Sequence, residues 1–128
     1  MSAILLCDDL MFASRITGTA RDLGLAVTPV RTTAAALDLA RRNDPTCVIV
    51  DLAIPGLDLP NLVHDFAGLP RRPRVVAYGS HVDTATLAAA RAAGCDLVLP
   101  RSKFVADLPT ALPDWLDRPA SRVPRRRA

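Results

Sequence analysis

The segment from residue 47 to residue 51 most constrains what this chain can fold into. Its first four residues, Cys47 to Val50, form an unbroken apolar run, and the fifth, Asp51, is a carboxylate. Such a run is typical of a strand buried on both faces, as in a parallel sheet covered by helices. The Pro55-Gly56 pair that follows predicts a loop. A carboxylate at the end of this strand would lie at the sheet edge where open parallel sheets bind ligands.

The start of the chain repeats this arrangement. Ile4 to Cys7 is apolar, and Asp8 and Asp9 follow it directly. We expect these two carboxylates to meet Asp51 at one edge of the sheet. Like charges about 4 Å apart repel by roughly 1–4 kcal/mol, so either one carboxylate is protonated or a cation compensates. Mg²⁺ suits such oxygen ligands. The alternative is that these aspartates only end strands and cap helices.

Strand-like and helical patterns alternate five times along the chain, which predicts a three-layer α/β sandwich with a five-stranded parallel sheet. Pro29 indicates that the second strand lies at an edge, because proline cannot donate to a ladder. Pro109 and Pro113 should kink or divide the last helix. The predicted strands are 3–7, 25–30, 47–51, 74–78 and 96–99. The first predicted helix carries Phe12, Ile16, Ala20 and Leu23 and ends at Gly24. The others run from Thr32 or Thr33 to about 42, over 59–67, from Asp83 or Thr84 to about 93, and from Ser102.

The charge pattern predicts one domain, residues 1–117, and an arginine-rich tail, 118–128. The net charge is +3, but five of the 16 basic residues are arginines of the tail, which leaves 11 basic residues against 13 acidic ones. The domain itself is therefore mildly acidic. We expect the tail to be disordered. We expect no nucleic-acid partner, because no aromatic residue accompanies the arginines.

Hydropathy and cysteine usage exclude several classes of protein. No apolar stretch reaches about 18 residues, and no signal-peptide pattern is present, so we expect no membrane span and no membrane partner. Cys7, Cys47 and Cys95 are odd in number and contain no Cys-x-x-Cys pair. They are expected to be free thiols, which indicates a reducing, cytoplasmic location.

Residues 1 to about 117 resemble the receiver domain of two-component response regulators, in a divergent, stand-alone form. The resemblance implies the flavodoxin-like strand order 2-1-3-4-5. It also implies that Asp8 and Asp9 bind Mg²⁺ beside Asp51. Asp51 would accept a phosphoryl group from the histidine of a kinase or phosphotransfer protein. The residues that carry the resemblance are Asp8-Asp9, Asp51, Pro55, Gly94-Cys95-Asp96 and Arg101.

Three positions depart from the receiver pattern. Receivers usually end the fourth strand with Thr or Ser, which donates a hydrogen bond to the phosphoryl group. We align Gly79 there, so Ser80 could supply the hydroxyl only with a shifted loop. The usual Lys-Pro pair is replaced by Arg101-Ser102, which makes Arg101 the candidate cation. Val98 replaces the aromatic switch residue of the fifth strand.

Three functions stay open. The first is a response-regulator-like signalling protein, not an enzyme, with an Mg-dependent phosphoacceptor at Asp51 and a separate downstream protein partner. The second is a pseudo-receiver interaction module that is not phosphorylated. The third, a phosphatase or hydrolase using Asp51, is disfavoured because haloacid-dehalogenase-type sites have Asp-x-Asp after the first strand. A homodimer could form through the face of the fourth helix, fifth strand and last helix.

Overall fold

Five strands and five helices alternate along residues 1–117, the part of the chain that the structure, a computed structural model, describes. The predicted arginine-rich tail, 118–128, lies outside the described residues. The strands are β1 (Ser2–Leu6), β2 (Ala26–Val30), β3 (Cys47–Asp51), β4 (Arg74–Gly79) and β5 (Leu97–Pro100). The helices are α1 (Leu10–Asp22), α2 (Thr33–Asn43), α3 (Leu59–Ala67), α4 (Thr84–Ala92) and α5 (Arg101–Leu116).

The sheet confirms the predicted fold class and strand order. All strand pairs are parallel, and the order is β2-β1-β3-β4-β5. Pro29 lies on the edge strand β2, as predicted, where its missing N–H leaves no gap in the ladder. The central strand β3 is buried along its whole length. Because the strands are parallel, their carboxyl ends share one edge of the sheet.

Alternating side chains of β3 divide the core into two layers. Val48 and Val50 pack in one layer with α2, α3 and α4. Cys47 and Ile49 pack in the other layer with α1 and α5. Successive strand residues point to opposite faces, so Asp51 belongs to the α1/α5 face. The helices therefore cover both faces of the sheet, and the carboxylate is directed toward α1 and α5.

Side-chain caps begin four of the helices, and Thr32 and Asp83 occupy two of the predicted cap positions. The last helix differs from its prediction in two respects. Pro100, and not Ser102, precedes α5 and gives no side-chain cap, and the helix continues through Pro109 and Pro113 without dividing. Both prolines are exposed, so water can reach the carbonyls that lose a helical partner. The apolar face of the helix is buried and holds the helix together; it consists of Phe104, Leu108, Leu112, Trp115 and Leu116.

The cysteines agree with the sequence-based expectation of free thiols. All three cysteines are free; Cys7 and Cys47 are buried, and Cys95 is half-buried. Within residues 1–117, each helix is too short or too polar to cross a membrane.

Asp96 connects the start of β5 to β4 through hydrogen bonds. Its Oδ2 accepts hydrogen bonds from the Val75 backbone N–H at 2.7 Å and from Arg72 Nη1 at 2.8 Å. The same Arg72 side chain donates to the Gly94 carbonyl at 3.0 Å. One carboxylate therefore joins two strands and the loop between α4 and β5.

We expect Asp96→Ala to lower the free energy of unfolding by about 1–3 kcal/mol, because hydrogen bonds to a charged group are lost. Denaturant titration followed by circular dichroism measures this change. Asp107→Ala is the matched control, because Asp107 makes an exposed i,i+4 pair with Lys103. The control should lose no more than about 0.5 kcal/mol. Equal effects of the two substitutions would contradict this role of Asp96.

Candidate functional site

Asp51 is a buried carboxylate at the end of the central strand. The residue is 3 % exposed. Its Oδ1 accepts a hydrogen bond from the Ala53 backbone N–H at 2.9 Å. Its Oδ2 accepts from Cys7 Sγ at 3.5 Å and lies 3.9 Å from Arg101 Nη2. A buried charge is costly unless it is paired and hydrogen-bonded, and these three groups supply the compensation.

The three predicted carboxylates, Asp8, Asp9 and Asp51, line one cavity. This acidic cavity has a volume of about 230 Å³. The loops after β1 and β3 and the start of α5 build it, because these segments leave the same edge of the sheet. Its lining consists of Asp8, Asp9, Asp51, Ala53, Ile54, Pro55 and Arg101.

Two of these carboxylates also have partners outside the cavity. Asp8 Oδ1 accepts from Arg31 Nε at 3.1 Å, and both side chains are about half exposed. Asp9 Oδ1 caps α1 by accepting from the Phe12 backbone N–H at 3.1 Å. Within residues 1–117, no three histidine, cysteine or acidic side chains are arranged closely enough to hold a metal ion. The carboxylate oxygens that line the cavity suit Mg²⁺ in type, but in this arrangement they are not close enough together to coordinate one ion, and Asp8 is paired with Arg31.

Arg101 lies between the acidic cavity and the aromatic core. Its guanidinium carbon is 4.7 Å from the Phe12 ring centroid and 5.8 Å from that of Tyr78. Guanidinium groups are attracted to the faces of aromatic rings. These contacts, together with Asp51, orient a side chain that is still 43 % exposed. Arg101 is therefore a fixed cation that solvent can reach.

Ser80 lies outside the acidic cavity. It is exposed, and its Oγ accepts from the Val82 backbone N–H at 3.4 Å. Ser80 lines a second, larger cavity of about 710 Å³, which shares only Ala53 and Arg101 with the first. The structure therefore brings Asp8, Asp9, Asp51 and Arg101 together and places Ser80 next to them.

The sheet register identifies the β4 residue beside Asp51. Asp51 pairs with Tyr78, whereas Gly79 is one residue further and pairs with Pro100. The alignment of Gly79 with the Thr or Ser of receivers stays a prediction, and the residue paired with Asp51 in this sheet is Tyr78. A Cβ at Gly79 would lie 3.2 Å from Leu52 Cδ1, so this position is also crowded. After Arg74 the β4 run is apolar, and its sequence has no alternation that could have revealed the register.

Tyr78 is the functional candidate that sequence reasoning missed. Its side chain is fully buried on the α1/α5 face, and its ring stacks on Phe104 with centroids 4.5 Å apart. Its hydroxyl makes no hydrogen bond of ordinary geometry within the described residues. Burial raises the pKa of Tyr78 far above its ordinary value, and the neighbouring Cys7 and Asp51 raise it further. A neutral hydroxyl is thus buried close to the Asp51 carboxylate.

Comparison with protein-family models gives no match to this chain, and no curated protein matches its sequence. Solved structures do match. A response regulator from Chloroflexus aurantiacus has a TM-score of 0.78 at 20% identity, over 90% of this chain and 96% of that one. At this identity the similarity establishes the fold.

Two further solved structures are similar to this chain. One contains magnesium, and the other contains a phosphotransfer protein. The receiver domain of a sensor histidine kinase from Pseudomonas aeruginosa, with magnesium in its active-site cleft, has a TM-score of 0.76 at 22% identity, over 90% of this chain and 96% of that one. The second is a complex of a histidine phosphotransfer protein and the receiver domain of its downstream response regulator from Saccharomyces cerevisiae. It has a TM-score of 0.76 at 12% identity, over 91% of this chain and 88% of that one.

The buried thiols lead to a pH-dependent prediction. Burial raises the pKa of Cys7 above its ordinary value, and raises the pKa of the more accessible Cys95 to about 11. At about pH 8 we expect iodoacetamide to label Cys95 slowly and to label Cys7 and Cys47 more slowly still, because only the thiolate reacts. The Cys95 rate should keep rising roughly tenfold per pH unit toward its raised pKa. Peptide mass spectrometry measures labelling at each site, and labelling of Cys7 as fast as Cys95 would contradict its burial.

Proposed function

Because the chain has the fold of a response-regulator receiver domain, we propose that it is a single-domain signalling protein that accepts a phosphoryl group on Asp51. One observation carries the proposal: the buried Asp51 carboxylate opens onto a cavity that it shares with Asp8, Asp9 and Arg101. A nucleophilic carboxylate next to further acidic ligands and a fixed cation suits phosphoryl transfer.

In the proposed reaction, a carboxylate oxygen of Asp51 attacks the phosphorus of a phosphohistidine. An oxygen–phosphorus bond forms, and the phosphorus–nitrogen bond breaks. The electron pair remains on the histidine nitrogen, which takes up a proton from solvent if it needs one. Arg101 is near enough to Asp51 to pair with an oxygen of the transferred group. The product is an acyl phosphate on Asp51.

We propose that Asp8, Asp9 and Asp51 hold the metal ion. When bound, Mg²⁺ would neutralise the charge that develops on the phosphoryl oxygens. Asp9 caps α1 through Oδ1. A carboxylate has two oxygens and can accept more than one bond, so Asp9 can cap the helix and still bind the ion. Asp8 must exchange Arg31 for the ion. The Asp8–Arg31 pair is exposed, so this exchange gives up no more than about 1 kcal/mol.

The partners that we propose are a histidine kinase or phosphotransfer protein as donor and a separate protein as downstream target. The similarity to a receiver that was solved with a phosphotransfer protein supports this kind of donor. Leu10 and Met11, at the start of α1, are 63% and 85% exposed. Exposed apolar side chains of this kind, close to Asp9, suit a protein contact. The predicted homodimer face of α4, β5 and α5 stays a prediction.

A second candidate function is a pseudo-receiver that binds partners without being phosphorylated. The ion pair between Asp8 and Arg31 favours it, because this pair compensates the charge of Asp8 without a metal ion. In this case the surface alone would carry the function, and Asp51 would be a structural carboxylate.

Phosphorylation of Asp51 separates the two candidates. Incubation with acetyl phosphate and Mg²⁺ should add the mass of one phosphoryl group to the wild-type protein, with acetate as the leaving group. Asp51→Asn should gain none, because an amide is a poor nucleophile. Intact-protein mass spectrometry measures both. Asp38→Asn is the matched control, because Asp38 is exposed on α2 and, among residues 1–117, forms its ion pair with Arg42 of the same helix.

This control should gain the same mass as the wild type. If the wild type gains none under conditions where an authentic receiver does, the phosphoacceptor proposal is wrong and the pseudo-receiver is favoured. A gain of equal size in Asp51→Asn would place the modification on another residue and would also reject the proposal.

Arg31→Ala should strengthen Mg²⁺ binding roughly twofold to fivefold, because Asp8 is released from its ion pair and a nearby positive charge is removed. Isothermal titration calorimetry with MgCl₂ measures the affinity. Arg42→Ala is the matched control, because it removes an equally exposed arginine that pairs with Asp38. Unchanged or weaker Mg²⁺ binding in Arg31→Ala would show that Asp8 is not a ligand.

A further inference from the structure

We propose that Tyr78 is a positioning residue whose buried hydroxyl donates a hydrogen bond to Asp51. Its contribution to phosphoryl transfer rests on the proposed function, whereas the contact itself does not. The sequence signals no such role, because Tyr78 ends an apolar strand like any core residue.

The fold holds the Tyr78 side chain in place. The residue is in register with Asp51 on the neighbouring strand, and paired residues of parallel strands point to the same face. Its ring stacks on Phe104 and lies 5.3 Å from the ring of Phe12 between centroids, with the planes 56° apart. The Arg101 guanidinium lies over the same ring. The ring is therefore fixed between two helices, and its hydroxyl has a defined position at the end of β3.

The hydroxyl needs a partner. A buried hydroxyl without a hydrogen bond is destabilising, and the Tyr78 side chain is fully buried. Asp51 is paired with Tyr78 on the neighbouring strand, and Cys7 packs in the same core layer as Tyr78. The Cys7 thiol already donates to Asp51, over 3.5 Å. A thiol sulfur is a weak acceptor, whereas an ionised carboxylate accepts several hydrogen bonds, so Asp51 is the acceptor that suits the phenol.

The neighbouring residues of β4 cannot supply this hydroxyl. Gly79 has no side chain, and Leu52 crowds the space where one would begin. Ser80 is exposed and lines the other cavity. Of these β4 residues, Tyr78 is thus the one that can donate to Asp51, and it does so from inside the core. The same carboxylate also lines the acidic cavity.

Tyr78 is the only tyrosine in the chain, so its near-ultraviolet absorption reports this contact directly. A phenol that donates to a carboxylate absorbs at longer wavelength than one that does not. We expect Asp51→Asn to shift the Tyr78 band to shorter wavelength, because the charged acceptor is lost. Asp38→Asn, the control, should leave the band unchanged. The difference spectrum against Tyr78→Phe isolates the tyrosine signal from that of Trp115.

Tyr78→Phe removes the hydroxyl and keeps the ring stack. With acetyl phosphate and Mg²⁺, we expect the phosphorylation rate of this variant to fall roughly threefold to tenfold. The reason is that Asp51 loses the one hydrogen bond by which Tyr78 positions it. Phe104→Leu disturbs the same stack but keeps the hydroxyl, so it should slow phosphorylation clearly less than Tyr78→Phe does. Intact-protein mass spectrometry over time measures the rates.

The two measurements separate failure of this inference from failure of the proposed function. If the wild type is phosphorylated, an unshifted band in Asp51→Asn together with an unchanged rate in Tyr78→Phe overturns the role of Tyr78 alone. If the wild type is not phosphorylated, the proposed function fails, and the band shift by itself decides whether Tyr78 donates to Asp51. Slowing by Phe104→Leu equal to that by Tyr78→Phe would assign the effect to packing and overturn the inference.

Discussion

The burial of one carboxylate at the end of the central strand is the constraint on which the site depends. Asp51 is almost inaccessible, so its charge requires partners from the protein. An amide from the following loop, a thiol from the end of β1 and a guanidinium from the start of α5 supply them. These groups come from distant parts of the chain. Only a parallel sheet with all its carboxyl ends at one edge brings them together.

The aromatic cluster connects this site to the core on one side of the sheet. Phe12, Tyr78, Phe104 and Trp115 form a series of ring contacts from the loop edge toward the end of α5. Arg101 lies over the first two of these rings. A lysine could not stack its compact ammonium group as a planar guanidinium does. Arg101 and the tyrosine beside Asp51 are thus parts of one packing arrangement.

A weak contact lies at the rim of the acidic cavity. Asp8 pairs with Arg31 near the ends of two neighbouring strands, and exposed pairs of this kind contribute little to stability. Under the proposed function, a divalent ion with oxygen ligands would compete with Arg31 for the same carboxylate.

The sequence by itself determined the strands, the helices, the sandwich and the carboxylates at its edge, because apolar runs, capping residues and proline act locally. Asp51 could be recognised since it directly follows a run of four apolar residues. Only the tertiary structure decided that Tyr78, and not Gly79, lies beside it. A strand that is apolar on both faces carries no alternation, so its register is set by hydrogen bonds to its neighbours. The Asp8–Arg31 pair and the undivided α5 were likewise decided by contacts and burial that no local pattern encodes.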